Sequence, residues 1–440
     1  MPSDHSAERR LLLSLFEEAM RSALPETCLA PHLPPAPAGR LVIFAIGKAA
    51  ASMAAAAEAH YAQTAPAARI EGIALTRYGH GRPTRHVEVV EAAHPVPDAA
   101  GVAASGRLLA LAATLKPDDL ALVLLSGGGS ALAVLPVEGV SLADKQALTR
   151  ALLASGAPIS EMNCVRKHLS CIKGGRLAAA IHPARMVTLA ISDVAGDDPS
   201  VIASGPTVPD PTTRDEALAI LDRYRIEVPP HLRAALLAAS ESPKPGDGIF
   251  HAARYDIVAS GARALDAAAK MLATQGYEVT DLGDRIEGEA HEVARDHARQ
   301  ALAAKARRHR VAILSGGETG VTFSQKAEGG SGGRNQEYAL ALALALGGVA
   351  GISAIAGDTD GIDGGSGSAD DPAGALVLPD TLARARTLGV DPLLSLKSHD
   401  SGGFFAALGD LVVTGPSYTN VNDFRAILVE GEPSMRRATR

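Results

Sequence analysis

Two kinds of residue in this chain could do chemistry: cations set at the ends of apolar runs, and glycine-rich segments able to present backbone N–H groups to an anion. Lys48 follows the run Arg40-Leu-Val-Ile-Phe-Ala-Ile46 and Gly47, and it precedes a stretch that is nearly all alanine. Its ammonium can therefore reach over the C-terminal edge of a strand, where ligands of open α/β sheets collect. The segment Ser126-Gly127-Gly128-Gly129-Ser130 follows the apolar run 121–125, and Ser315-Gly316-Gly317-Glu318-Thr319 follows 311–314. A buried strand that ends without bulky side chains lets consecutive N–H groups approach an anion, and a following helix adds its positive end. Both segments are expected to be turns that cradle phosphate, in one cleft shared by two lobes.

A third glycine-rich segment, Gly329-Gly-Ser-Gly-Gly333, runs directly into Arg334-Asn335-Gln336-Glu337. Four glycines in five residues build no core, and the guanidinium fork with neighbouring amides at a helix start suits bidentate binding of phosphate or carboxylate. Glycine also permits such loops to move as lids. Two acidic clusters follow apolar runs, Ser192-Asp193-Val-Ala-Gly-Asp197-Asp198 and Gly357-Asp358-Thr-Asp360-Gly-Ile-Asp363. Mg²⁺ needs only one or two carboxylates beside phosphate oxygens and water, so Asp193 and Asp358 are the candidate ligands. The second cluster lacks the terminal glutamate of a calcium loop. Asp370 and Asp371 read as turn formers. Arg166, Lys167, His168, Lys173 and Arg176 form a basic run, readable as a solvated helix face or as an anion site. Cys164 and Cys171 read as packed thiols, and His94 and His399 as structural.

The elements that must position these residues alternate. Strands are predicted at 40–46, 70–75, 87–91, 120–125 and 186–191, with helices at 7–23, 49–61, 99–115, 144–155 and 159–180. This alternation indicates right-handed βαβ crossovers and a parallel sheet. Pro, Ser and Lys accumulate between 229 and 246, which predicts a domain boundary there and domains of 1–240 and 241–440. The second lobe is expected to open at Tyr255, with helices at 262–275, 287–308, 335–346 and 379–388 and strands at 278–282, 311–314, 352–356 and 411–414. A chain of 440 residues exceeds what one core usually supports, which also favours two α/β domains. Aromatic residues are only 3% and Trp is absent, so Ala, Leu, Val and Ile must fill the core.

The formal net charge of −7, spread along the chain, argues against nucleic acid or an anionic membrane as partner. Three cysteines without CxxC spacing indicate neither a disulfide framework nor a zinc site. With no apolar stretch of spanning length, a cytoplasmic protein is expected. A homodimer stays open.

Together the segments Leu125-Ser-Gly-Gly-Gly-Ser-Ala-Leu132, Asn163-Cys-Val-Arg-Lys-His-Leu-Ser170, Lys173-Gly-Gly-Arg-Leu177, Ser192-Asp-Val-Ala-Gly-Asp-Asp-Pro199 and Ala203-Ser-Gly-Pro-Thr207 resemble class II glycerate kinases. So do Glu287-Gly-Glu-Ala290, Ser315-Gly-Gly-Glu-Thr319, Gly332-Gly-Arg-Asn-Gln-Glu337 and Thr414-Gly-Pro-Ser-Tyr-Thr-Asn-Val-Asn-Asp423, the last group matching the C-terminal MOFRL domain of that family. The resemblance implies ATP- and Mg²⁺-dependent phosphorylation of D-glycerate at its 2-hydroxyl. It implies a Rossmann-like, parallel-sheet N-terminal domain, a smaller α/β C-terminal domain and an active-site cleft between them. It also implies active-site roles for Lys48 and Arg334. Substrate or nucleotide is then expected on Ser126, Gly127, Gly128, Gly129 and Ser130, and on Gly316, Gly317, Glu318 and Asn335, with metal on Asp193 or Asp358. Ser417-Tyr418 and Ala259-Ser-Gly-Ala262 depart from the usual family pattern in loops. A hydroxypyruvate reductase, a name some such sequences carry, would need a G-x-G-x-x-G turn after the first strand, where this chain has Gly47-Lys48-Ala49-Ala50. A non-catalytic sugar-phosphate sensor would need no metal carboxylates.

Overall fold

The computed structural model describes residues 5–307, 310–322, 330–365, 368 and 370–431. The chain forms two compact units, Pro25–Ala259 and the remainder on either side of it. In the first unit six parallel strands, β1 (Arg40–Ile46), β2 (Arg69–Arg77), β3 (Val87–Ala92), β4 (Leu120–Leu125), β5 (Arg185–Ile191) and β6 (Ala253–Ala259), lie in the order β3-β2-β1-β4-β5-β6. That is the doubly wound order, and its direction of winding reverses between β1 and β4. Ile46 pairs with Leu125 there, so the segments following both strands leave the sheet side by side.

β4 is buried along its whole length, as a central parallel strand covered on both faces must be. The helix Ala50–Thr64 turns Ala50, Ala51, Ala54 and Ala57 into the interior. A satellite core under the helices Leu142–Ala154, Ile159–His168, Arg214–Arg223 and Pro230–Ala238 is built from Leu152, Val165, Leu221, Leu232 and Leu236, among others. The helix predicted over 159–180 is two helices, Ile159–His168 and Arg176–Ile181. Gly174 and Gly175 between them adopt left-handed conformations, φ 57° and 79°, which no helix continues through.

The strand at Tyr255 does not open the second unit. β6 pairs in parallel with β5, so the division falls after Ala259 rather than at the Pro-, Ser- and Lys-rich stretch before it. The helix Ser6–Ser22 belongs with the second unit, where Phe16 stacks obliquely on Phe424 at 6.0 Å.

The second unit is a mixed sheet. Its strands are β7 (Glu278–Asp281), β8 (Ile286–Glu289), β9 (Val311–Gly320), β10 (Ile352–Asp358), β11 (Gly374–Val377), β12 (Leu411–Val412) and β13 (Asp423–Val429). The order is β12-β11-β10-β13-β9-β7, with β8 also pairing β9. Central β13, missed in the sequence, runs antiparallel to both β9 and β10. Glu287, expected in a helix, lies in β8; the helix begins at Ala290, and Arg308 falls outside the described residues.

The expected glycine turn 315–319 is not a turn: β9 continues through it. Gly316 and Gly317 face Phe424 and Asp423 of β13, and the Gly316 N–H donates to the Gly283 carbonyl at 2.9 Å. Gly317 has φ +104°, and a Cβ on it would stand 2.3 Å from the Ile286 carbonyl oxygen. These glycines permit close strand approach. Gly317→Ala is expected to cost about 2–4 kcal/mol, from a strained backbone conformation together with a steric clash. A thermal melt should show the loss; an unchanged melting temperature with a raised KM would restore the anion-turn role.

Candidate functional site

At the switch point of the first sheet the turns after β1 and β4 are tied to each other. Ser126 N–H donates to the Ile46 carbonyl at 3.0 Å, Lys48 N–H to the Gly127 carbonyl at 2.8 Å, and Ala49 N–H to Ser126 Oγ at 3.0 Å. Thr76 Oγ1, near the end of β2, donates to the Lys48 carbonyl at 3.1 Å. Gly47 has φ +130°, and a Cβ there would lie 2.3 Å from Ser126 Oγ, so only glycine fits the junction.

Gly128 is left-handed, and a Cβ on it would meet the His94 ring at 2.9 Å and Lys48 Cγ at 3.3 Å. His94 and Lys48 thus flank the turn, a role for His94 that its isolation in sequence hid. The helix that follows, Gly129–Leu132, is four residues long, so the expected helix dipole contributes little. Ser130 Oγ lies 2.8 Å from Ser204 Oγ, and Lys173 Nζ donates to the Ser130 carbonyl at 2.7 Å. Ala203 and Ser204 both have positive φ, 50° and 62°, a strained conformation for residues with a Cβ.

Asp193 follows the neighbouring strand β5, in a loop with Ser192, Asp197 and Asp198. Asp198 Oδ1 accepts from Ser200 N–H at 2.8 Å, whereas Asp197 Oδ1 is buried without a hydrogen-bond partner. An orphaned carboxylate oxygen in the loop that also carries Asp193 is a donor that suits a hard cation. Among the described residues no three His, Cys, Asp or Glu side chains gather into a complete metal cage. A Mg²⁺ that keeps its waters and phosphate ligands requires none.

The second unit assembles its own constellation around Arg334, the first residue of the helix Arg334–Leu346. Arg334 Nε donates to Asp423 Oδ1 at 2.9 Å and Nη2 donates to Asp358 Oδ2 at 2.9 Å, while Nη1 is 3.4 Å from Glu318 Oε1. Burial opposes the guanidinium charge, but Asp423, Asp358 and Glu318 outweigh it and raise its pKa further. Asp423, which opens the unpredicted β13, is fully buried and also accepts from Asn335 Nδ2 at 2.7 Å and from Arg425. Arg425, 1% exposed, additionally donates to the Gly316 carbonyl at 3.2 Å.

Asp358 accepts from Arg334 Nη2 through one oxygen and from Asp360 N–H through the other at 3.0 Å, so it braces the arginine. Asn335 spends its Nδ2 on Asp423 and Asp363, and the backbone amides of Asn335 and Gln336 donate to the Asp363 carboxylate at 3.0 and 2.9 Å. The helix N-terminus therefore carries its own anion. Gly329 lies outside the described residues.

Burial raises the Asp363 carboxyl to about 6, against the amide donors of Asn335 and Gln336. Its folded pKa thus lies above the unfolded value of 3.8, so the native state binds the extra proton between these limits. Stability from this group is fully present below about 4 and is lost as pH rises through about 6, by roughly 3 kcal/mol in all. Urea unfolding across that window should show the decline, and Asp363→Asn should flatten it; an unaltered slope in the variant would assign the decline to another group.

A doubly wound sheet with interlocked turns at its switch point, joined in one chain to a mixed sheet bearing a braced arginine, defines a two-unit α/β protein. Residues 11–237 match the family described as a domain of unknown function, DUF4147, and residues 311–423 match the MOFRL family. The chain is 51% identical, over 96% of its length and 94% of the relative's, to an Agrobacterium vitis protein with the provisional name hydroxypyruvate reductase. It is 38% identical to the D-glycerate 2-kinase of Thermotoga maritima, over 96% of its own length and 98% of that protein's. The crystal structure of a Thermotoga maritima glycerate kinase matches with a TM-score of 0.87 at 37% identity, covering 96% of this chain and 100% of that one. The chain belongs to the glycerate kinase family.

Proposed function

We propose that this chain transfers the terminal phosphoryl group of ATP to D-glycerate at its 2-hydroxyl, yielding 2-phosphoglycerate and ADP. The observation that carries the choice of kinase over reductase is the turn after β1. Its Lys48 and Ala49 amides are already spent on the Gly127 carbonyl and Ser126 Oγ, so they are not available to a dinucleotide pyrophosphate. The relatives named as D-glycerate 2-kinase and glycerate kinase support the substrate.

Phosphoryl transfer depends on positioning and on neutralising charge more than on covalent chemistry. In this reading Lys48 and Arg334 are the cations that neutralise phosphate charge, and the Ser126–Ser130 turn binds an anionic group of substrate or nucleotide. Asp193 and the orphaned oxygen of Asp197 are the groups that would hold Mg²⁺, which supplies neutralisation of phosphate charge when bound.

The test is to incubate the protein with D-glycerate and Mg-ATP, follow ADP, and assign the phosphorylated position by ³¹P NMR. Phosphate at the 3-hydroxyl would overturn the regiochemistry, and NADH consumption on hydroxypyruvate without ADP formation would overturn the reaction class. Chelation should abolish turnover and added Mg²⁺ restore it, with Asp193→Asn raising the Mg²⁺ needed for half-maximal rate by at least about tenfold. A wild-type Mg²⁺ dependence in that variant would exclude Asp193 as a ligand.

A further inference from the structure

Behind the Ser126–Ser130 turn the first unit gathers three cations with no acid to match them. Lys173 is 3% exposed, and its ammonium donates to the Ser130 carbonyl at 2.7 Å. Lys145, on the helix Leu142–Ala154, is 7% exposed and donates to the Leu169 carbonyl at 3.2 Å. Arg166, half-buried in the last turn of the helix Ile159–His168, makes one long side-chain contact, 3.5 Å to Asn163 Oδ1.

The Leu169 carbonyl ties Lys145 to the segment 166–173 that carries the other two. Leu169 ends that helix, Lys173 N–H donates to Ser170 Oγ at 3.3 Å, and Cys171 N–H donates to the Leu135 carbonyl at 2.8 Å. Lys167, in the same segment, has Asp210 at 3.5 Å. Among the described residues no carboxylate comes within 4.0 Å of the side-chain nitrogens of Lys145, Arg166 or Lys173. Burial, with Arg166 adding repulsion, lowers Lys145 to about 8. Burial, reinforced by Lys145 and Arg166, lowers Lys173 well below the ordinary lysine range.

Grouped like charges without counter-ions are costly in a protein interior, and each ammonium here spends one of three donors. An anion would satisfy the remainder. Nucleotide phosphates come with Mg²⁺ and call for carboxylates nearby, whereas this trio has none, so it suits an anion that arrives without metal. The guanidinium fork of Arg166 matches a planar carboxylate.

We propose that Lys145, Arg166 and Lys173 form the subsite that receives the carboxylate of the hydroxy-acid substrate, and that Lys173 couples this subsite to the glycine turn through the Ser130 carbonyl. The inference rests on the D-glycerate reading above. None of the three residues was assigned to substrate in the sequence, where the basic run looked equally like a solvated face.

The experiment is calorimetric titration of D-glycerate into the whole protein, alongside KM for D-glycerate and for ATP, in wild type, Lys173→Met and Arg166→Gln. Lys173→Met keeps the apolar stem and gives up the hydrogen bond to the Ser130 carbonyl, so a thermal melt of each variant is run beside the titration to establish that it is folded. Each substitution should weaken D-glycerate binding roughly tenfold or more, with the ATP KM little changed and the preference for D-glycerate over glycerol reduced. Unaltered D-glycerate affinity in both variants overturns the proposal, as does an effect confined to ATP, which would assign the cluster to the nucleotide. Wild type that binds D-glycerate without forming ADP would refute the kinase reading while the variants still judge the subsite. Wild type that neither binds nor phosphorylates D-glycerate refutes both.

Discussion

Arg334→Lys is expected to lower kcat by about 10²–10³-fold although it preserves the positive charge. The guanidinium reaches Asp423 through Nε and Asp358 through Nη2, two separate carboxylates, both buried. An ammonium is a compact charge that cannot span both sites, so one acid would be left buried and uncompensated. The variant should therefore also lose stability, by about 3–5 kcal/mol if the unpaired acid stays ionised. Measuring kcat at saturating substrate beside a urea unfolding curve separates the two effects. Wild-type turnover in a folded Arg334→Lys protein would show that the arginine is a structural brace and nothing more. Asp423→Asn provides a second measure, because it loosens Arg334 without removing it.

Lys48→Met should give a comparable fall in kcat, again about 10²–10³-fold, but with a smaller loss of stability than Arg334→Lys. The difference follows from which atoms hold the fold. The turn is secured by the Lys48 backbone, through its N–H on the Gly127 carbonyl and its carbonyl accepting from Thr76, and methionine keeps both. Methionine also keeps the apolar stem that lies beside Gly128. Only the ammonium is lost. Retained turnover in Lys48→Met would remove this residue from the proposed chemistry, and a large drop in stability would mean that its ammonium has a structural duty as well.

Much of the first unit was readable in residue pattern alone. Apolar runs such as 41–46 and 120–125 are buried on both faces, and that burial is what makes them continuous rather than alternating. The glycines at 47 and 128 are required by local backbone conformation, so their place beside Lys48 was also legible. The second unit was harder, because its strands are defined by partners distant in sequence. Gly316-Gly317 has the composition of a turn, and it is a strand only because Ile286 and Asp423 approach too closely for a side chain. The run 423–429 contains Arg425, whose charge disguises a fully buried central strand until Asp423, Thr319 and the Gly316 carbonyl are seen around it.

Residue type and order by themselves determined the alternation of strands and helices, the glycine junctions after β1 and β4, and the identity of Lys48 and Arg334 as the cations to watch. Tertiary structure alone decided what those groups are bound to. It set Asp358 against Arg334 as a brace, gave Asn335 and Asp363 to the helix start, brought Asp423 to Arg334, and left Lys145, Arg166 and Lys173 without an acid. The physical reason is that a charge's role depends on its burial and on the few ångströms to its nearest partner. Those partners, Glu318, Asp358 and Asp423 for Arg334, are chosen by sheet register and not by local sequence.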